Sequence, residues 1–199
     1  HTHCISVEEN KEITVDTGFI VFNKKTYPLF TSLLDELEID YENSNMSFSV
    51  FSELSQLEYN GTNLNTLFAQ RKNLFKPHFI KMIFEILKFN KESLSLLNDT
   101  SNRTLGEFLK QNNYSTFFSD HYILPMGSAI WSSNIETMLN FPAKFFVTFF
   151  HNHGMLSVNN RPQWLTISGG SEQYVNKLCN SFRSKIQLNA KIKSVSRLE

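Results

Sequence analysis

The sequence predicts an α+β protein in which two ends with strand patterns frame a mostly helical middle. Residues 15–23 form an apolar run broken by Gly18, and residues 161–167 return to strand character near the carboxyl end. Between them, residues 64–156 repeat apolar side chains mostly at helical spacing. Because the two ends are alike, we expect them to share one layer into which the middle is inserted.

Composition is that of an ordinary globular protein. The 199 residues carry 19 basic and 19 acidic side chains, and the sequence shows neither a basic stripe for nucleic acid nor a polybasic membrane patch. No apolar run is long enough for a transmembrane span. The two cysteines, Cys4 and Cys179, lie far apart, so we expect a reducing, cytoplasmic location. The chain begins at His1 and is expected to be part of a longer protein.

The apolar run at residues 15–23 is the first candidate for a ligand contact. It follows an edge strand predicted within residues 1–14, and it carries one acid, Asp16, shortly before Gly18. A glycine lets another group approach the backbone closely. The run is therefore either a strand that breaks at a ligand or an ordinary buried strand with a bulge.

A helix and a β-hairpin are predicted next. Residues 26–37 have helical spacing, with Thr26 as the cap and Pro28 in the first turn. Residues 46–51 and 57–59 alternate apolar and polar side chains on either side of a polar turn. That alternation predicts a hairpin.

Capping residues and apolar spacing predict further helices in the middle of the chain. Thr104 and Glu107 match a capping box, and Ser115 is expected to cap a helix that ends before Pro125. Residues 77–89 place apolar side chains on one face. Residues 142–150 are apolar nearly all round, which is typical of a helix that is buried or lines an apolar cavity.

The carboxyl-terminal part combines a strand, a glycine pair and a helix. The strand at residues 161–167 is followed by Gly169 and Gly170 and by helical spacing over residues 171–182. Glycines at a helix start leave backbone N–H groups able to face a phosphate, and the alternative is a tight turn into an amphipathic helix. The full Gly-x-Gly-x-x-Gly fingerprint is absent, and residues 186–195 predict two short strands.

The remaining chemistry-bearing residues do not form a recognisable catalytic set. No serine has the pattern of a nucleophile elbow. His151 and His153 suit a capping or core role, and alternatively metal binding or acid–base chemistry. Trp131 and Trp164 suit either the core or stacking on a planar ligand. No metal site is predicted.

Several segments share their order and spacing with one protein family. They are residues 1–3, 15–23 with 26–28, 45–50, 67–71, 124–131, 152–154, and 161–164 with 169–170. Taken together, they resemble the middle of a flavin-containing amine-oxidase-like protein, of the bacterial predicted NAD/FAD-binding group.

The resemblance implies a partial α/β FAD-binding domain of the Rossmann-like type with a mostly helical substrate domain inserted into it. Residues 1–25 and 161–199 would belong to the FAD-binding domain, and residues 26–160, which include the hairpin, to the inserted domain. In such proteins the pyrophosphate fingerprint precedes the segment matching residues 1–2, and a flavin-closing segment follows. The chain is therefore expected to be an incomplete piece.

The resemblance also implies which residues meet FAD. His1 and Thr2 would lie along the cofactor, and Gly18, Phe19 and Ile20 would pass close to the flavin ring. Gly169 and Gly170 would re-enter the FAD-binding domain, and Ile192 would meet the adenine through its backbone.

The implied activity is that of an FAD-dependent oxidoreductase. A hydride would pass from a small molecule, either apolar or an amine, to the flavin, and the Phe-rich middle suits an apolar substrate. The alternatives are a flavin-fold protein that binds a ligand or partner without turnover, and a plain helical interaction domain that binds no flavin. Residues that we assign by hypothesis to the substrate side are Tyr122, Trp131, His153 and Trp164.

Overall fold

The computed structural model describes residues 4–8, 12–157 and 162–197. The chain divides into two compact units. The first combines His1–Ser44 with Trp164–Glu199, and the second is Asn45–Gln163. Helices and small antiparallel sheets both occur, so the protein is of mixed α and β class.

The first unit is built from both ends of the chain. Its sheets pair β1 (Cys4–Glu8) with β2 (Glu12–Asp16), and β3 (Tyr41–Ser44) with β6 (Trp164–Ile167). Its α-helices are α1 (Pro28–Glu36) and α9 (Glu172–Cys179), and a 3₁₀-helix follows at Arg183–Lys185. The buried side chains of its core are Phe22, Leu34, Leu165 and Ile167.

The second unit is a hairpin followed by helices. The hairpin pairs β4 (Ser49–Ser52) with β5 (Leu57–Asn60). The α-helices are α2 (Leu64–Leu67), α3 (Pro77–Glu92), α4 (Leu105–Gln111), α5 (Thr116–Phe118), α6 (Leu124–Trp131), α7 (Ile135–Leu139) and α8 (Ala143–Asn152). Two 3₁₀-helices, Arg71–Phe75 and Ser93–Asn98, and a π-helix, Ser119–Ile123, connect them.

Aromatic side chains dominate the core of the second unit. Phe89 is fully buried and its ring lies within 6.5 Å of four other rings, those of Phe108, Tyr114, Phe118 and Phe146. Edge-to-face and tilted ring pairs of this kind contribute beyond their buried area. The many phenylalanines are thus explained largely by packing.

The hairpin and the two capping predictions in the second unit are confirmed. Thr104 Oγ1 accepts a hydrogen bond from Glu107 N at 3.2 Å, and the Glu107 carboxylate accepts one from Thr104 N at 2.8 Å. Ser115 Oγ accepts from Phe118 N at 3.2 Å. Each cap accepts hydrogen bonds from backbone N–H groups at the start of a helix, where these groups have no partner within the helix.

The predicted buried strand over residues 15–23 is wrong. β2 ends at Asp16, the chain bends at residues 17–19, and Ile20 is 52% exposed. Further along, Phe22 forms an isolated bridge to Leu165 of β6, which is not the partner strand of β2. The strand ends there because the Asp16 side chain bonds to a distant turn, described below.

The predicted cap of the next helix is also wrong. The N-cap residue is Tyr27, and its side chain makes no capping hydrogen bond. Thr26 N donates instead to Asn23 Oδ1 at 2.9 Å, so Asn23 stabilises the turn that precedes the helix. Pro28 occupies the first turn as expected, since its missing N–H costs nothing there.

The helix begun by Ser115 does not end before Pro125. Leu124 N bonds to Ser119 O, five residues earlier, at the end of the π-helix. Pro125 then lies in the first turn of α6, where an absent N–H is tolerated. The π-helix therefore lets the chain remain helical on both sides of Pro125.

Residues 186–195 do not form the two predicted strands. The described residues after Lys185 have no regular secondary structure, and Leu188 and Val195 are 83% and 88% exposed. Alternation of apolar residues is not sufficient for a strand without a partner to pair with. The helix predicted to reach residue 182 ends at Cys179.

Two further expectations differ from the structure in detail. In α8, Phe146 and Phe150 are buried but Phe145 is 57% exposed, so the helix is not buried all round.

The predicted domain boundary after residue 25 remains a prediction, but packing favours a boundary later in the chain. α1 contributes Leu34 to the core of the first unit, and β3 pairs with β6 of the same unit.

Candidate functional site

The segment after β2 and the turn before α9 meet through Asp16 and Ser171. Ser171 N lies 3.0 and 3.1 Å from the two carboxylate oxygens of Asp16. The Ser171 hydroxyl lies 2.9 Å from Asp16 Oδ2 and 2.8 Å from the carbonyl oxygen of Phe19. Ser171 is buried, so these bonds fix together two segments that are far apart in sequence.

The glycine pair before α9 is required by this junction. Gly169 and Gly170 have φ angles of +76° and +91°, which strongly favour glycine. A Cβ atom at Gly170 would lie 2.6 Å from Thr14 Cγ2, inside contact distance. The amide of Gly170 donates to Ile167 O at 3.0 Å, which closes the turn. Of the two interpretations of the glycine pair, the tight turn accounts for this geometry.

Residues 18–22 form a short strap anchored by backbone contacts. The Thr166 hydroxyl donates to Ile20 O at 3.0 Å, and Phe22 and Leu165 exchange backbone bonds of 2.9 and 2.8 Å. The ring of Phe19 packs edge-on against Phe30 at 5.2 Å. Gly18 is exposed beside these anchors. The backbone of the strap is therefore held in place, while the surface at Gly18 is exposed to solvent.

The turn before α9 does not suit a phosphate. A helix N-terminus attracts anions, but the Asp16 carboxylate already accepts from Ser171 N at the start of α9. A phosphate placed there would face a like charge. Gly18 carries no side chain and is exposed, and Ile20 is 52% exposed, so the surface beside this turn is open and partly apolar. The described residues thus argue against a pyrophosphate at this turn.

The other residues matched to FAD add little to this site. His1 and Thr2 lie outside the described residues. Ile192 is 77% exposed in the segment without regular structure, so the strand position expected to meet adenine is not formed. Of the matched residues, the structure brings together the strap and the glycine pair.

Two of the residues assigned to the substrate side share one neighbour. The ring of Trp131 lies 5.0 Å from that of Phe149, and His153 stacks on Phe149 at 3.9 Å. His153 is the C-cap residue of α8, and its Nδ1 lies 2.8 Å from Phe149 O. The capping role considered for His153 is therefore confirmed.

The other two such residues lie elsewhere. Tyr122 is on the π-helix, where its ring lies 5.5 Å from that of Phe118. Trp164 begins β6 in the first unit, opposite Ser44, and is half-buried.

A serine–histidine contact on the second unit was not indicated by the sequence. His121 Nε2 lies 2.9 Å from Ser55 Oγ, and His121 Nδ1 lies 3.1 Å from Phe117 O. With the proton on Nδ1, Nε2 accepts from the Ser55 hydroxyl, as in a nucleophile–base pair. Ser55 is exposed in the hairpin turn. The π-helix that carries His121 leaves no signal in apolar spacing, so only the structure reveals the contact.

The same π-helix is tied to the hairpin by a buried tyrosine. The Tyr59 hydroxyl donates to His121 O at 2.6 Å, and Tyr59 is 2% exposed. Burial, followed by the nearby Tyr122, raises the pKa of Tyr59 far above its ordinary value. Tyr59 therefore acts as a neutral hydrogen-bond donor at physiological pH.

No protein-family model matches the chain, and no curated protein sequence is significantly similar to it. Among the residues that the structure describes, none of the helices is long and apolar enough to cross a membrane. The same residues contain no group of three or more His, Cys, Asp and Glu side chains able to hold a metal ion.

Proposed function

We propose that this chain is the flavin-facing piece of an FAD-dependent oxidoreductase of the amine-oxidase-like type. The observation that carries the proposal is the Asp16–Ser171 junction. It joins residues 18–20, which the family resemblance matches to the flavin ring, to the glycine pair that the same resemblance assigns to the FAD-binding domain. Two segments implied for one cofactor are thus neighbours.

The residues of the junction would position the flavin rather than react with it. When bound, FAD supplies the hydride acceptor. The carbonyl groups of Phe19 and Ile20 are held by Ser171 and Thr166, so the strap is a rigid support for a ring over Gly18. The pyrophosphate would be bound by residues other than this turn.

The proposed substrate is a small apolar molecule or an amine. The second unit has an aromatic core, and Trp131 and Phe149 are half-buried at its edge. Such surfaces bind apolar groups and, through their ring faces, cations such as protonated amines. A cytoplasmic location goes with this proposal.

A second candidate is a flavin-fold protein that binds a ligand or partner without redox turnover. His153 is engaged as a helix cap, and Asp16 and Ser171 bond to each other. These polar groups therefore stabilise the fold. This favours binding over redox turnover at the surface that they support.

The decisive experiment is FAD binding to the purified full-length protein. We expect flavin absorption bands to remain after gel filtration with added FAD, and to bleach when an amine or apolar substrate is added without oxygen. Bands that no compound bleaches would favour the second candidate. A folded protein that takes up no FAD would overturn both.

A matched pair of glycine variants tests the site itself. Gly18→Val adds a branched side chain to the proposed ring-facing surface, and we expect it to weaken FAD binding by about tenfold or more. Gly61→Val is the control, because a Cβ atom at Gly61 meets only Phe48 O, at 3.8 Å. Equal affinities in the two variants would contradict the placement of the ring over Gly18.

A further inference from the structure

The second unit exposes a group of large apolar side chains on one face. They lie on the 3₁₀-helix Arg71–Phe75 and on the outer side of α3. Leu74, Phe75, Phe84 and Leu87 are 48%, 86%, 66% and 48% exposed. Single exposed apolar residues are common, but a cluster of this size marks a surface that contacts something apolar.

Basic residues are concentrated in this part of the chain, a local excess that the scattered charges of the whole sequence did not indicate. Residues 71–92, from the start of the 3₁₀-helix to the end of α3, contain six basic residues and two acidic residues, although the whole chain has no net charge. The basic residues are Arg71, Lys72, Lys76, Lys81, Lys88 and Lys91. We call the four exposed apolar residues, together with Lys72, Lys76 and Lys81, the α3 face.

The charges nearby leave the α3 face positive. Of the two acids, Glu85 is buried and accepts hydrogen bonds from Ser115, while its distance to Lys81 Nζ is a long 3.9 Å. Glu92 lies 3.7 Å from Lys88 Nζ and accepts a hydrogen bond from the Tyr114 hydroxyl. Lys88 is used within the protein, since its Nζ donates to Asn112 O at 2.7 Å and lies over the ring of Tyr114. The Lys81 side chain is 62% exposed.

An open groove of about 760 Å³ runs along the α3 face. Its lining includes Leu74, Pro77, Ile80, Lys81 and Phe84. Phe75 borders the groove but is 86% exposed, so most of its ring projects into solvent rather than filling the groove.

We propose that the α3 face docks on the surface of a lipid bilayer that contains anionic headgroups. Projecting aromatic side chains flanked by lysines are typical of helices that lie in a membrane interface. Phe75 and Phe84 enter the interface, and Lys72, Lys76 and Lys81 meet the lipid phosphates. A second copy of the chain fits this face less well, because two positive faces repel each other.

The test is co-sedimentation of the full-length protein with vesicles. One set contains phosphatidylcholine alone, and the other contains phosphatidylcholine and phosphatidylserine in equal amounts. We expect binding to the anionic vesicles only, weakened by added salt because headgroup attraction is screened. The prediction does not depend on FAD.

Two variants locate the contact. Phe75→Ser with Phe84→Ser should remove binding, and Lys72→Glu with Lys76→Glu should weaken the partition coefficient by about fivefold or more per lysine. The controls are Leu54→Ser, at a fully exposed leucine outside the face, and Lys25→Glu in the first unit. Circular dichroism checks that each variant is folded.

Three results would overturn the proposal. The first is absence of binding to both kinds of vesicle. The second is vesicle binding that Phe75→Ser with Phe84→Ser reduces no more than the control Leu54→Ser does. The third is a dimer, or binding of an acidic helical peptide, that Phe75→Ser with Phe84→Ser abolishes while vesicle binding persists.

Discussion

The carboxylate of Glu85 on α3 receives two hydrogen bonds from Ser115, one from its backbone N–H at 2.8 Å and one from its hydroxyl at 2.5 Å. Ser115 in turn caps α5 through Phe118 N. Glu85 is only 6% exposed. A single buried acid therefore determines where one helix begins against the side of another.

Replacing this acid should destabilise the second unit. Glu85→Ala removes two hydrogen bonds to the carboxylate and leaves the N–H and hydroxyl of Ser115 without an acceptor. We therefore expect a loss of about 2–3 kcal/mol in the free energy of unfolding. Urea denaturation measures it. The control Glu58→Ala, at an exposed strand position, should change stability by less than about 0.5 kcal/mol. Equal losses would contradict the role of Glu85.

The glycine pair gives a second prediction. Gly169→Ala should cost about 1–2 kcal/mol, because alanine is strained at positive φ. Gly170→Ala should cost more, because its Cβ also clashes with Thr14 Cγ2. Adding Thr14→Ser removes that methyl group and should restore part of the loss. Thermal unfolding of the three variants is the measurement, and no recovery in the double variant would show that the clash is unimportant.

The capping box of α4 gives a third prediction. Thr104→Ala and Glu107→Ala should each lower the free energy of unfolding, Thr104→Ala by about 1 kcal/mol. Because the two residues cap each other's backbone, the double variant should lose less than the sum of the two single losses. Thr100→Ala, at an exposed site before the helix, is the control. Strict additivity would argue against a coupled cap.

The buried Tyr59 predicts a loss of stability at alkaline pH. Its pKa is raised in the folded state, so above a pH of about 10 the unfolded chain releases a proton that the folded chain retains. Stability from this group is complete below that pH and falls by about 1.4 kcal/mol per pH unit above it.

The variant Tyr59→Phe separates this effect from packing. It should be about 1 kcal/mol less stable at neutral pH, through loss of the bond to His121 O, but should decline less steeply above a pH of about 10. Tyr114, whose pKa is also raised by burial and by Glu92, accounts for part of the remaining decline. Unfolding in urea across this pH range gives both values, and parallel curves would contradict the assignment.

Some features that depend on neighbouring residues were predictable from the sequence, although the cap expected at Thr26 was not among them. The hairpin of β4 and β5 and the caps at Thr104 and Ser115 are determined by side chains within a few positions. The mixed α and β class follows from the same local patterns.

Features that depend on distant residues were not predictable. Asp16 and Ser171 are 155 positions apart, and Ser55 and His121 are 66 apart, so no local pattern announces either contact. The bond to Ser171 also explains why the apolar run after Asp16 does not continue as a strand. In the candidate site, the glycine pair was recognised, but its dependence on Thr14 was not.

The pairing of β3 with β6 sets an order of folding during synthesis. Tyr41–Ser44 leaves the ribosome well before Trp164–Ile167, and all of Asn45–Gln163 is made in between. At roughly 5–20 residues per second, β3 waits on the order of ten seconds for its partner strand. The uninterrupted second unit is able to fold during that interval, whereas the first unit closes only after β6 has emerged.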